Sequence, residues 1–131
     1  EAFTYSEPTE NIRVDWKPFY VPEKSRLEES FYFYGYVVRI SNLGVEACQL
    51  INRHWIVRDG SGRVEHIRGP GVVGEKPILR PEQAYEYNSF CPLSTPTGSM
   101  RGSYDFWDYQ KVLFKVAIPV FFFRGPRIFV Q

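Results

Sequence analysis

Period-two alternation of apolar and polar side chains begins at Asn11 and returns in segment after segment. In Asn11–Val21 (NIRVDWKPFYV), Ile12, Val14 and Trp16 share one side and Arg13, Asp15 and Lys17 the other, which predicts a strand with one wet face. A polar loop (VPEKSRLEES) follows. Ser30–Ser41 places Phe31, Phe33, Gly35 and Val37 on one face and Tyr32, Tyr34, Tyr36, Val38 and Ile40 on the other. Both faces are rich in rings, so this reads as a central strand, covered on one side and lined with tyrosines on the other. The tyrosine row has two readings, a stacking platform for bases or ordinary cross-strand packing.

After an Asn-Leu-Gly turn at Asn42–Gly44, Ala47–Asp59 reads as another strand, Asp59–Arg63 (DGSGR) as a hairpin connection, and Val64–Arg68 as the return strand. Further on, AYEYNSF alternates Tyr85 and Tyr87 against Glu86 and Asn88, and CPLSTPTGSM (Cys91–Met100) reads as a long loop. RGSYDFWDY and VLFKVAIPVFFF make a final pair of strands, and RIFV near the C-terminus adds a short edge strand. No helical periodicity holds over 11 residues anywhere, and there is no repeat or linker. The expectation is one all-β domain over residues 1–131, a sandwich or barrel, with residues 1–10 a leading segment open to disorder.

Composition agrees. Aromatics are 18% of 131 residues, and rings favour pleated, half-buried surfaces. The chain is 44% hydrophobic and 24% charged, which argues against wholesale disorder. A formal charge of +1 lacks the broad basic field of a non-specific nucleic-acid binder. Arg53, Arg58, Arg63 and Arg68 recur every five residues, as solvated strand faces or as a local anion-facing patch. Cys48 and Cys91 are too few for a disulfide framework. No apolar run approaches the roughly 20 residues that span a bilayer, so no membrane partner is expected. The chain opens on Glu1 without a secretory or transit segment, which reads as an excised domain or processed product. The expected compartment is intracellular, cytoplasmic or nuclear by default, mitochondrial if a transit peptide was removed.

The stretch RGPGVVGEKP (Arg68–Pro77) spells Gly69-x-Gly71-x-x-Gly74, the form of a dinucleotide-binding fingerprint. That motif needs a helix after its last glycine, whose N-terminus supplies amides and dipole. Here Pro77 and Pro81 oppose a helix, and no acidic residue ends a second parallel strand about 20 positions on. Two readings remain. Successive amides of Gly69, Gly71 and Gly74, flanked by Arg68 and Lys76, form an anion nest for pyrophosphate or a nucleotide. Alternatively, the glycines let the chain cross between sheets in strained conformations.

Cys48–Phe106 is similar to the ApaG domain family. The matching elements are Gln49-Leu50, Arg53 with Trp55, Gly62, the Gly69-x-Gly71-Val72-Val73-Gly74 run, Pro77, Tyr85-x-Tyr87-x-Ser89, Thr97-Gly98-x-Met100 and Gly102-x-Tyr104. VAIPVFFF resembles the family's closing strand, and the resemblance extends over about residues 10–130. It implies a fibronectin-III/immunoglobulin-like β-sandwich of two antiparallel sheets, about seven to nine strands. It also implies a binding module, since the family occurs as a free-standing bacterial protein and as the C-terminal domain of an F-box protein and of a polymerase-delta-interacting protein. The chain departs from the family at Pro81-Glu82-Gln83, where Pro-Gly-Glu is common, and at Arg101, where relatives often carry Glu or Gln.

Candidate chemistry is sparse. His54 and His66 lie on neighbouring predicted strands and can meet across the hairpin, but no Cys or carboxylate stands at ligand spacing beside them. Cys48 and Cys91 lack a neighbour that would depress their pKa, and Cys91 falls in the predicted loop. Asp105 and Asp108 fall on opposite faces of a strand. No catalytic residue, metal or cofactor is expected. The reading is a non-catalytic module for a protein partner, within a larger protein or complex, with Trp55, Tyr34 and Tyr36 as core supports or anchors. Loops on a rigid scaffold carry recognition, so the expected contacts are Pro70, Val72, Val73 and Glu75 in one loop and Leu93, Thr95, Met100 and Arg101 around the other. Nucleic acid remains an alternative over the tyrosine face, and the aromatic C-terminal strand offers an edge for a homodimer.

Overall fold

The computed structural model describes residues 3–125. Among them the chain forms nine strands: β1 (Thr4–Tyr5), β2 (Ile12–Tyr20), β3 (Tyr32–Asn42), β4 (Cys48–Asp59), β5 (Val64–Pro70), β6 (Ile78–Leu79), β7 (Ala84–Leu93), β8 (Thr97–Trp107) and β9 (Leu113–Arg124). The polar loop after β2 contains two single-turn 3-10 helices, Pro22–Lys24 and Leu27–Glu29. All pairings are antiparallel. One sheet runs β1-β2-β3-β7, and the other runs β5-β4-β8-β9 with β6 on β4 beyond the end of β5. The two form the expected all-β sandwich. RIFV lies outside the described residues.

Alternation places the core between the sheets. Ile12, Val14 and Trp16 of β2 and Tyr34, Tyr36, Val38 and Ile40 of β3 face Leu50, Trp55 and Val57 of β4, Tyr104 and Phe106 of β8, and Val116, Ile118, Phe121 and Phe123 of β9. In β9 the inward phase changes at Pro119. Gly102 pairs with Ile118 while Met100 pairs with Phe121, so Pro119 and Val120 form a bulge where a missing N–H breaks no ladder bond.

The tyrosine face of β3 is the interior one. Tyr34 and Tyr36 are buried, Tyr36 meets Trp55 at 5.6 Å between ring centroids, and Tyr34 meets Phe123 at 4.9 Å. The stacking-platform reading therefore fails, because no base can reach these rings. Other expectations shift too. The supposed wet face of β2 buries Asp15, held by Arg13 at 2.8 Å and approached by Arg39 at 3.9 Å. Thr4–Tyr5 of the leading segment pairs with β2. Cys91–Met100 is no long loop: Cys91–Leu93 ends β7, Thr97 starts β8, and only Ser94–Pro96 connect them.

Candidate functional site: an open cleft between the sheets

The glycine stretch lies at the sheet edge and is built around carbonyls. Gly69 sits in β5 against the Arg53 guanidinium, which a β-carbon there would meet at about 3 Å. Arg53 Nη1 donates to the carbonyls of Pro70 and Gly71, at 2.9 and 3.0 Å. The amides of Gly71, Val72 and Glu75 donate to the carbonyls of Ile51, Glu75 and Val72. Val72–Glu75 is thus a two-residue hairpin, with Val73 and Gly74 both at positive φ, 43° and 82°. What the loop cradles is a cation of its own chain. Arg68 points out from the opposite face of β5, in register with His54, so it does not converge with Gly69, Gly71, Gly74 and Lys76 on an anion. The glycines do not carry the crossing between sheets either. That comes after β6, at the Arg80–Gln83 turn, where Gln83 N–H donates to Arg80.

Beside this loop an open cleft of about 520 Å³ runs down the molecule between β5 and β7. Its floor is Trp55, Val57 and Met100, with Tyr36 behind; Ile67 and Glu65 of β5 form one wall and Ser89–Leu93 of β7 the other. The cleft exists because the sheets differ in width on this side. Every residue of β5 from Val64 to Arg68 is exposed, on both faces of the strand. Ile67 pairs beside Trp55 and faces inward, yet stays 38% exposed, since among the described residues no strand of the other sheet covers it. Phe90 lends the cleft its backbone only, because its ring turns to the outer face of the sheet and packs on Phe33 at 5.2 Å. Arg53 closes the upper end of the cleft, and Asp59 and Arg63 flank the lower.

The two weakly acidic groups in the cleft wall, the Cys91 thiol and the Tyr36 phenol, are held neutral. Burial pushes the Cys91 thiol up to about 12. Burial also raises the Tyr36 phenol, an effect partly offset by its hydrogen bond to Ser89. Cys48, elsewhere in the core, is pushed up to about 11 by burial, and both cysteines are free thiols. Deeper still, the Tyr87 and Tyr104 hydroxyls hydrogen-bond to each other.

The contact residues expected from sequence do not form one surface. Val72, Leu93 and Met100 are buried: Val72 packs in the core, while Leu93 and Met100 belong to no loop surface and show only an edge at the bottom of the cleft. Pro70 pairs beside Asn52 and Thr95 accepts from Gly60 N–H, so the two loops flank opposite ends of β4, roughly 25 Å apart at about 3.3 Å per residue. Val73 and Glu75 are exposed at the upper end. Arg101 lies mid-strand on the outward face of β8 beside Ile56. The sequence reading missed Ile67 and Glu65. One signal was available: a return strand with a charged residue, Glu65, at an inward position has an uncovered inner face.

Spacing of five residues sends the arginines apart, Arg53 inward and Arg58 and Arg68 outward. The outward pair shares a face with Arg101, Lys115 and Asp105, the last two 3.7 Å apart. On that face His54 Nε2 and His66 Nδ1 do meet, at 2.9 Å. Slight burial first, then the charges of Arg68, His66 and Lys115, pull the His54 pKa down against the opposing pull of Asp105. Among the described residues no group of three or more His, Cys, Asp or Glu could hold a metal ion, and no helix is long and apolar enough to cross a membrane.

Comparison with known proteins gives a consistent result. The chain is 49% identical over 123 residues to Protein ApaG of Rhodospirillum centenum, covering 94% of this chain and 95% of the relative. Its identity to Protein ApaG of Paramagnetospirillum magneticum is 46% over the same length and coverage. The crystal structure of an ApaA protein from Bordetella pertussis superposes with a TM-score of 0.86 at 43% identity, covering 95% of this chain and 97% of that one. None of these matches is to a catalytic family. The model of the ApaG domain matches residues 22–108, from the first 3-10 turn to the end of β8. On the family model and these relatives together, the chain belongs to the ApaG domain family.

Proposed function

We propose that this ApaG domain is a non-catalytic module that recognises a protein partner at the cleft between β5 and β7. The observation that carries the reading is the uncovered inner face of β5: apolar surface that a sandwich normally buries is left open beside Trp55, Val57 and Met100. An apolar floor with polar ends is the anatomy of a recognition surface, with ring anchors at the centre and charges at the rim. The lining supplies little for catalysis. Its thiol is neutral at any ordinary pH, and no imidazole lies among the lining residues.

A photo-crosslinking side chain placed at Ile67 or Glu65, both exposed on the cleft-facing side of β5, tests this in cells that express the native chain. Discrete protein adducts from those two positions, absent when the same group replaces Tyr109 at the far β8–β9 turn, are expected. Equal labelling from all three positions, or none from the cleft, overturns the reading.

The anion alternative at Arg68, Gly69, Gly71, Gly74 and Lys76 loses support because three amides of the loop are already committed to carbonyls. Isothermal titration with pyrophosphate and ATP is expected to give no heat at millimolar ligand. With the tyrosine face interior, nucleic-acid binding would have to use the outward Arg58, Arg68 and Arg101, and it would weaken steeply with salt.

A further inference from the structure

We infer that the occupant of the cleft is one extended segment of a partner protein, pairing with the free edge of β7 and extending the β1-β2-β3-β7 sheet by a further strand. This rests on the reading of the domain as a protein-recognition module and specifies how recognition is made. Neighbouring strands lie about 4.8 Å apart and facing sheets about 10 Å apart. A strand added beside β7 therefore lies over β5, where Glu65 and Ile67 have no cover among the described residues. The added strand supplies the missing width of the narrower sheet. Its alternate side chains enter the space above Trp55, Val57 and Met100, while its backbone satisfies the outward N–H and C=O groups of β7.

The β7 edge is suited to this. Exposed edges are ordinarily protected by charges, bulges, prolines or a covering element. From Tyr87 to Cys91 β7 carries no charged residue, and its register with β3 continues without a shift from Leu93 to Ala84. Pro92 sits near one end and Glu86 near the other. By contrast, β5 carries Glu65, His66 and Arg68 along its length, so its own edge is the guarded one of the pair.

A second copy of this chain does not fit the space. Antiparallel β7–β7 pairing about a twofold would bring the copy's own overhanging β5 beneath β7, into the volume held by β4. A single strand has no such second layer. The charges lining the cleft, Arg53 and Arg63 against Asp59 and Glu65, cancel and give no net sign to select an acidic or basic segment. Selection therefore rests on apolar residues at alternate positions, and the affinity depends little on salt.

The test uses dodecapeptides selected from a random displayed library against the native domain, then synthesised and titrated. The expected peptides alternate apolar and polar residues. N-methylation of alternate amides in one register weakens binding about tenfold, the weight of one or two lost backbone hydrogen bonds, while the other register leaves it nearly unchanged. Ile67→Asp and Ile67→Lys, both at an exposed position where thermal melting verifies the fold, weaken binding about tenfold or more, a loss sized to a well-packed anchor. Amide exchange slows on β7. Retention of no peptide, equal response to both methylation registers, or indifference to both Ile67 variants overturns strand addition. Crosslinks from Ile67 or Glu65 combined with any of those results would leave the module reading standing and remove only the strand.

Discussion

Left-handed backbone at residues with side chains is the most tractable feature at the residue scale. Arg80-Pro81-Glu82-Gln83 is a turn with proline second and Glu82 third at φ 69°, a position that favours glycine. Glycine would adopt this conformation freely, and Glu82 carries the strain that a β-carbon brings. Glu82→Gly is expected to raise stability by about 1 kcal/mol, offset in part by the greater chain freedom of glycine when unfolded. A urea midpoint shifted upward at constant slope checks it. Val73 is the sharper case, a β-branched residue at φ 43° in a turn that prefers Asn-Gly, so Val73→Asn should stabilise by about 1 kcal/mol. Gly71 is the opposite: a β-carbon would sit 2.1 Å from the Glu75 carbonyl oxygen, so Gly71→Ala must open the hairpin and lower the melting temperature. His54 gives a pH signature. Its folded pKa lies below the ordinary 6.5, so stability is full above that value and declines slightly as pH falls through the lowered one. Proton NMR should find its midpoint below 6.5, and Arg68→Gln should move it up.

Between elements, the contacts that matter are polar ones buried where strands meet. Asn42, at the end of β3, donates to the carbonyls of Glu46 and Leu79 and accepts from Gly44 N–H, tying β3 to β6 and to the loop before β4. Across the core, Tyr87 of β7 and Tyr104 of β8 satisfy each other. Tyr104→Phe leaves the Tyr87 hydroxyl buried and unpaired, at a cost of about 1–3 kcal/mol, and adding Tyr87→Phe should cost less than a second such loss. A double-mutant cycle by denaturant titration measures that coupling. These pairs also mark what sequence could and could not disclose. Alternation identified β2, β3, β4 and the long strands after Cys91, because a side-chain period of two is local and visible in one segment. It could not say which face of β3 was interior, since both faces carry rings; only the opposing sheet decides that Tyr36 meets Trp55 while Phe33 stays outside. Nor could it place the cleft. An uncovered inner face is a mismatch in width between two sheets, and no window of sequence contains both Ile67 and Ser89 with their strand order. The glycine motif misled for a related reason: its spelling is local, but its partner, Arg53, comes from the neighbouring strand.

At the scale of the whole molecule, the sandwich keeps its ionisable interior neutral by burial, and that sets a limit at alkaline pH. The Cys48 thiol is raised from 9.0 to about 11, the Cys91 thiol from 9.0 to about 12, and the Tyr34 phenol from 10.0 to about 12, burial being the first cause in each case. For an acid whose folded pKa exceeds its unfolded one, the folded state holds its proton over a range where the unfolded chain has lost it. The stabilising contribution is then complete below the unfolded value and disappears as pH rises toward the folded one. Stability should therefore be level from neutral pH to about 9 and fall continuously from there toward 11, as the unfolded chain gains charged thiolates that the core refuses. Urea titrations at pH 8, 9.5 and 10.5 measure the slope, and the Cys48→Ala, Cys91→Ala double variant should flatten the first part of it, at the cost of small cavities. The same physics makes both thiols slow toward disulfide reagents at pH 8, Cys48 reacting through global unfolding and Cys91, at the cleft wall, through local opening of β7 as well. Because Cys91 lines the cleft, a bound strand should slow its labelling further, while Cys48, away from the cleft, would respond only through global stability. Equal slowing of both cysteines would place the bound segment elsewhere.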